Sequence, residues 1–236
     1  MRKRYAVTDL HGCYELWEAI KNYCGEKDNI IFLGDAIDRG EYGLAIMQEL
    51  LEDKRVDYIL GNHEEMFLKA IQEYLKDFNE FNLLNSFEYS HCYMNGGSST
   101  FKDFLNLPKD EQIKLYQSLK RQCKKYMVYK NKEGKEIFLS HSGCSFKDLF
   151  NLKEADLTWN RDHINEPNYL IHSNLIMVHG HTPVQFITHK NEIYKYFNES
   201  KIDIDLGCVE SGIAALLDLD TLEPIYFKID KGDKNE

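Results

Sequence analysis

Asn29-Ile30-Ile31-Phe32-Leu33-Gly34-Asp35-Ala36-Ile37-Asp38-Arg39-Gly40 is the stretch on which the fold turns. Four large apolar residues run straight into a glycine, two carboxylates and an arginine. The run is too short for a buried helix and is closed by glycine, so it reads as a buried strand. The amphipathic stretch at 41–52 then reads as a helix, and strand, turn and helix together are half of a βαβ unit. The same grammar holds on either side. An apolar run at 5–7 leads to Asp9 and His11 and a helix at 14–24, and a run at 56–60 leads to Asn62 and His63 and a helix at 63–76. The first half of the chain is therefore expected to be layered α/β around a partly parallel sheet.

From 78 to about 125 the pattern turns helical and is read as an insertion. Asn95-Gly96-Gly97 breaks it, residues 98–100 offer helix caps, and Pro108 suits a first helical turn. Strand-like runs return at 136–139, 175–178, 192–196, 202–206, 213–217 and 224–229, which suggests antiparallel or mixed pairing in the second half. Two of these again end in a candidate ligand, His141 and His181. In open α/β sheets the C-terminal ends of the strands line one edge where ligands bind, so these distant residues are expected to converge. Carboxylate, imidazole and amide oxygen together favour Mn²⁺, Fe or Zn²⁺ over an all-oxygen Ca²⁺ or Mg²⁺ cage.

The bulk numbers set limits. With 236 residues and 43% apolar content, one large domain over 1–230 with a polar tail at 231–236 is expected. A formal charge of −10 argues against a nucleic-acid footprint or an anionic membrane partner, so an anionic substrate must meet locally positive chemistry. Six cysteines without a Cys-x-x-Cys pair read as reduced, mostly buried thiols of a cytoplasmic protein. The N-terminus is too soon polar for a signal peptide, and no apolar run approaches the roughly 18 residues of a membrane span.

Five segments in order, Asp9-Leu10-His11-Gly12, Gly34 through Gly40, Gly61-Asn62-His63-Glu64, Ser140-His141-Ser142-Gly143 and Gly180-His181-Thr182-Pro183, resemble the phosphoprotein-phosphatase type of metallophosphoesterase. Asn95-Gly96-Gly97, Trp159-Asn160-Arg161 and Ile204-Asp205-Leu206-Gly207 resemble its small bacterial and phage branch, which holds serine/threonine phosphatases and symmetrical dinucleoside tetraphosphatases. The resemblance implies a calcineurin-like four-layer αββα sandwich with two mixed sheets. It gives one divalent ion to Asp9, His11 and Asp35 and a second to Asp35, Asn62, His141 and His181. Asp35 would bridge, as a carboxylate with two oxygens can. Arg39 and Arg161 match positions that grip phosphate oxygens. His63 matches the general acid, with Asp38 holding its ring. The implied reaction is attack of a metal-bridging hydroxide on a phosphate monoester, foremost phosphoserine or phosphothreonine in proteins. A symmetrical diadenosine tetraphosphate hydrolase is the alternative, with Lys120, Arg121, Lys124 and Lys125 as a candidate basic cluster for it. A non-catalytic phosphate-binding protein fits the intact ligand and acid set poorly. The oligomeric state is left open.

Outside these motifs, His91, His163, His172 and His189 read as surface or loop residues and His179 as a satisfied core residue. Trp159, Phe78, Phe81, Phe87 and Tyr89 read as packing, and Cys13 and Cys208 as inert. Three positions depart from the resembled pattern. Thr8 replaces a glycine, tolerable in a strand that needs no positive φ. Glu41 adds negative charge near the rim. Glu210 stands where an aromatic is usual, and it could repel phosphate, join metal or water binding, or select a cationic substrate neighbourhood.

Overall fold

The computed structural model describes residues 2–145, 153, 157–165 and 174–229. Strand β1 (Arg4–Val7) lies parallel to β2 (Asn29–Phe32), and β2 to β3 (Val56–Tyr58). The crossovers are helices α1 (Tyr14–Tyr23) and α2 (Gly43–Glu52), and α3 (Asn62–Asp77) leaves the end of β3. These are the βα units expected from the first half of the sequence.

Residues α4 (Glu80–Leu84), α5 (Phe87–Met94), α6 (Ser98–Asn106) and α7 (Lys109–Gln122) form the insertion. It closes back on β3, where Leu60 donates to the Lys124 carbonyl and Lys124 to that of Tyr58. Two details differ from expectation. Pro108 is the residue before α7, and α6 is preceded by Gly97 with no side-chain cap, because the hydroxyls of Ser99 and Thr100 bond elsewhere.

The chain continues through β4 (Tyr126–Lys130), β5 (Glu136–Ser140), β6 (Leu175–His179), α8 (Gln185–Thr188), β7 (Tyr194–Tyr196), β8 (Lys201–Asp203), α9 (Cys208–Ser211), β9 (Ile213–Asp218) and β10 (Pro224–Lys228). The sheets run in the orders β10-β9-β1-β2-β3 and β4-β5-β6-β8-β7, and both mix parallel and antiparallel pairs. Strand β4 is absent from the sequence reading; as a half-exposed edge strand beside charged residues it carries little apolar signal.

Alternation of side chains along the strands builds the layers. Tyr5, Val7, Ile30 and Phe32 face the helices, where they meet Trp17, Phe67, Phe101 and Phe104. Ala6, Ile31 and Leu33 face the other way and pack against Ile137, Leu139, Ile176, Val178 and Ile202 of the second sheet. Phe138 and Met177 on that sheet's outer face meet Cys144 and Leu157. The described part of this fourth layer also holds a 3₁₀ turn at Asp162–Ile164. Strands with apolar groups on both faces explain the continuous hydrophobic runs.

All six cysteines are free, and Cys24, Cys92, Cys144 and Cys208 are buried. Among the described residues no helix is long and apolar enough to cross a membrane. His172 and the 231–236 tail lie outside the described residues. His163 corrects the sequence reading: its turn drops it into the interior, where it is fully buried. The buried Lys201 ammonium donates to His163 Nδ1 at 3.2 Å, and His163 Nε2 donates to the Ser142 carbonyl at 2.6 Å. Burial and that ammonium push the His163 imidazole down to about 3. Phe81 and Phe87 are each 75% exposed, so they do not pack as expected, whereas Phe78 and Tyr89 do contact the main core.

Candidate metal centre

Asp9 and His11 follow β1, Asp35 follows β2, Asn62 and His63 open α3, and His141 and His181 follow β5 and β6. All seven are buried. The turns that deliver them are sharp. Asp9, His11, Asp35, Asp38, Arg39 and His181 all have positive φ, between 41° and 72°. Non-glycine residues reach this region only at a cost, and the surrounding hydrogen bonds hold them there. Thr8, the first residue after β1, has no such φ, so a side chain in place of glycine is tolerated there.

Each ligand is aimed by a specific contact. His11 Nδ1 donates to the Ile37 carbonyl at 2.8 Å and His141 Nδ1 to that of Leu33 at 2.8 Å, which turns both Nε2 atoms inward. Asp9 Oδ2 accepts from the Thr8 hydroxyl at 2.6 Å and the His181 amide at 3.0 Å, leaving Oδ1 3.8 Å from His11 Nε2. Asp35 Oδ1 accepts from the His63 amide, and its Oδ2 lies 3.6, 3.8 and 3.4 Å from Nε2 of His11, His63 and His141. Asn62 Oδ1 is 2.9 Å from both His141 Nε2 and His181 Nδ1.

Among the described residues two three-residue groups able to hold an ion result, each with its ligand atoms within 4.8 Å of one another: His11, Asp35 and His63, and Asp35, His141 and His181. Asp35 belongs to both. Asp9 borders the first group through His11, while the His63 ring is committed on both nitrogens. Its Nδ1 contacts Asp38 Oδ2 at 2.7 Å, and its Nε2 lies 3.1 Å from Arg39 Nη2.

The donor set fits divalent ions. His11 Nε2 and His181 Nε2 are buried without a hydrogen-bond partner, a costly state unless something else binds them. Burial would raise the Asp35 carboxyl, but His141, His63 and His11 hold it well below the usual range. Burial opposes a charge on His141, yet Asp35 and Asp9 lift it to about 10. Burial and His141 push His181 down to about 2. The pocket therefore selects for positive charge, which cations can supply in place of the proton on His141.

Several contributors had gone without a role in the sequence. Glu64, fully buried, accepts from the amides of Asp35, Ala36 and Gly61 at 2.8, 2.8 and 3.0 Å and from the Tyr58 hydroxyl at 3.0 Å. Its place beside His63 in the third motif was the available signal. Thr100 of α6 donates to Asp38 Oδ1 at 2.7 Å and accepts from the Asp38 amide at 3.0 Å, tying the insertion to the site. The Gly96 carbonyl accepts from the Arg39 amide at 2.8 Å, which gives the Asn95-Gly96-Gly97 break its place. The Cys208 thiol donates to the carbonyls of Asp9 and Leu10. His179 is a satisfied core residue, bonded to the Gly180 carbonyl and the Tyr196 hydroxyl.

Gly61 and Gly180 are required by close approach. A Cβ on Gly61 would lie 2.1 Å from Asp35 Oδ1, and one on Gly180 would lie 2.3 Å from Asp9 Oδ2.

Arg39, Arg161 and His181 line one open cleft of about 700 Å³, together with Glu210 and Phe186. Glu41 is exposed and is not part of this lining. Lys120, Arg121, Lys124 and Lys125 also lie outside it, and Lys124 pairs with Asp57 at 2.5 Å.

No curated protein sequence matches the chain. Among solved structures, "a putative diadenosine tetraphosphatase" superposes with a TM-score of 0.65 at 14% identity over 98% of this chain and 95% of that one. A cold-active protein-tyrosine phosphatase of a psychrophilic Shewanella superposes at 0.58 and 16% identity, covering 97% and 78%. A protein serine/threonine phosphatase from Saccharomyces cerevisiae with similarity to human phosphatase PP5 superposes at 0.55 and 12%, covering 99% and 82%. At such identities these likenesses establish the fold alone. The sequence profile of the calcineurin-like phosphoesterases matches residues 3–217, nearly the whole of the two-sheet body that carries the ligands, and the chain belongs to this family of metal-dependent phosphoester hydrolases.

Proposed function

We propose that the chain is a phosphomonoesterase acting on phosphoserine or phosphothreonine in proteins, with two divalent ions held by Asp9, His11, Asp35, Asn62, His141 and His181. The observation that carries the reading is that Asp35 belongs to both ligand groups while two guanidinium groups line the cleft beside them. Imidazole, carboxylate and amide donors suit Mn²⁺, Fe or Zn²⁺ alike, and Mn²⁺ is the proposed ion. When bound, such a pair supplies Lewis acidity and lowers the pKa of coordinated water towards ~7.

The protein's own groups do the rest. Arg39 and Arg161 orient and neutralise the phosphoryl oxygens through paired N–H donors. His63 serves as general acid: Asp38 at Nδ1 fixes the ring and favours its protonated form, and Nε2, which faces Arg39, donates to the leaving oxygen once the guanidinium has turned to the phosphate. Burial disfavours that charge, but Asp35 and Asp38 raise the imidazole above its usual value. Thr100 fixes Asp38 in turn. The free thiols support a reducing, cytoplasmic compartment.

A second reading, symmetrical hydrolysis of dinucleoside tetraphosphates, draws on one feature. Phe87 stacks on His91 at 5.9 Å and His91 on Trp159 at 6.0 Å, and Trp159 meets His181 edge-on at 6.1 Å. The monoester reading is preferred because the basic cluster that a polyphosphate would use lies off the cleft. Kinetics on a phosphopeptide, diadenosine tetraphosphate and p-nitrophenyl phosphate in defined Mn²⁺ test the choice. The phosphopeptide is expected to give the highest kcat/KM, and chelation should abolish all three activities. A dominant tetraphosphate rate would replace the lead reading with the second, and chelator-resistant activity would remove both.

A further inference from the structure

The cleft that holds the two arginines also carries the opposite charge. Glu210 of α9 lines it, exposed, and its carboxylate forms no hydrogen bond or ion pair with the described residues. It is also outside both ligand groups, so of its three possible roles the metal-binding one lacks support. Phe186 of α8, 79% exposed, lines the same cleft.

Both residues stand on anchored turns. The Glu210 amide donates to the Gly207 carbonyl at 3.0 Å, the Ser211 hydroxyl to that of Leu206 at 2.7 Å, and Cys208 bonds back to the loop carrying Asp9. Gln185, beside Phe186, donates to the same Leu206 carbonyl at 2.7 Å, which ties α8 to the segment leading into α9. The backbone turns that carry the carboxylate and the exposed ring into the cleft lining are therefore anchored to each other.

A phosphate dianion gripped by Arg39 and Arg161 would be repelled by a bare carboxylate lining the same cleft. A cation placed between them turns that repulsion into two attractions. A lysine or arginine side chain suits the wall: its methylene stem covers an aromatic face while its charged head pairs with the acid. We infer that Glu210 and Phe186 form a leaving-group subsite that selects phosphopeptides with a basic residue next to the phosphorylated one. The inference rests on the phosphomonoester reading above.

The test uses two phosphoserine peptides of one sequence, with lysine or glutamate flanking the phosphoserine, assayed on the full chain loaded with Mn²⁺. In the unmodified protein kcat/KM should favour the lysine peptide by on the order of tenfold, the size expected of a close charge pair in partly screened surroundings, and added salt should shrink the ratio. Glu210→Gln should bring the two peptides within about twofold, and Glu210→Lys should reverse the order. A ratio taken within each variant does not depend on how much of it folds. An equal ratio in the unmodified protein and Glu210→Gln, or a preference for the glutamate peptide, overturns the inference alone. Failure to turn over either peptide while diadenosine tetraphosphate is cleaved would overturn the phosphopeptide reading beneath it as well.

Discussion

Asp35 holds its two oxygens in different states: Oδ1 is fixed by the His63 amide, and Oδ2 faces three imidazoles. Oδ2 is thus the oxygen that faces the candidate ligands, and Asp35 belongs to both ligand groups, the position a bridging carboxylate would need. Replacing it with an amide removes the charge shared by both positions and presents a donor to one of them. Asp35→Asn is expected to lower the affinity of both ions together, measured as metal per chain by elemental analysis after dialysis at graded Mn²⁺. Loss of one ion with the other held at its original affinity would contradict the bridge. His63 predicts a different signature, since its ring is spent on Asp38 and Arg39. His63→Asn should retain close to the original metal content while kcat falls by roughly 10²–10⁴, the usual contribution of a general acid. The departing Glu210 could be singled out from the sequence, but its role could not, because that depends on neighbours distant in the chain, the cleft-lining Arg39 and Phe186 among them.

At the level of elements, the site depends on where strands end. The five strand-to-ligand steps were legible because an apolar run followed within three residues by a polar ligand is a local pattern. The braces between elements were not, because they join residues distant in sequence. Thr100 reaches Asp38 over 62 positions, and Glu64 spans 29 to Asp35. His163 was misjudged for the same reason, since its partner Lys201 lies 38 residues away. Glu64 shows what such a brace does. One carboxylate satisfies three amides at the end of β2 and the start of α3, with the Tyr58 hydroxyl as a fourth donor. Burial and Asp35 push its carboxyl up, while the amides of Asp35 and Ala36 pull it back. Glu64→Gln puts an NH₂ group where one oxygen accepted, so at least one buried donor is left unpaired. A loss of about 2–4 kcal/mol in unfolding free energy is expected from urea titration, accompanied by weaker Mn²⁺ binding. Unchanged stability would mean that the turn is held without it.

Across the whole molecule the ligands divide between the two sheets. Asp9, His11, Asp35 and Asn62 follow strands of the first, whereas His141 and His181 follow strands of the second. The sheets already share an apolar interface through Ile31, Leu33, Leu139 and Val178. At the rim of that interface the contacts become polar: Asn62 meets His141 and His181, and Asp9 meets the His181 amide. On the proposed reading, side chains from both sheets would bind one pair of ions, which would make metal binding a property of the folded state alone, because the unfolded chain cannot assemble them. Linkage then fixes the size of the effect. Mn²⁺ at a hundred times its dissociation constant adds ~2.7 kcal/mol per site, and for a chain of this length each kcal/mol moves the Tm by about 2–4 °C. Calorimetric scans should therefore show a rise of roughly 5–10 °C or more on going from chelator to saturating Mn²⁺. The rise should be dependent on Mn²⁺ concentration and largely lost in Asp35→Asn. A metal-independent Tm would mean that the ligands do not bind as a set spanning the two sheets. A rise preserved in Asp35→Asn but lost in a variant of one sheet's histidines would place the stabilising ion away from the bridge.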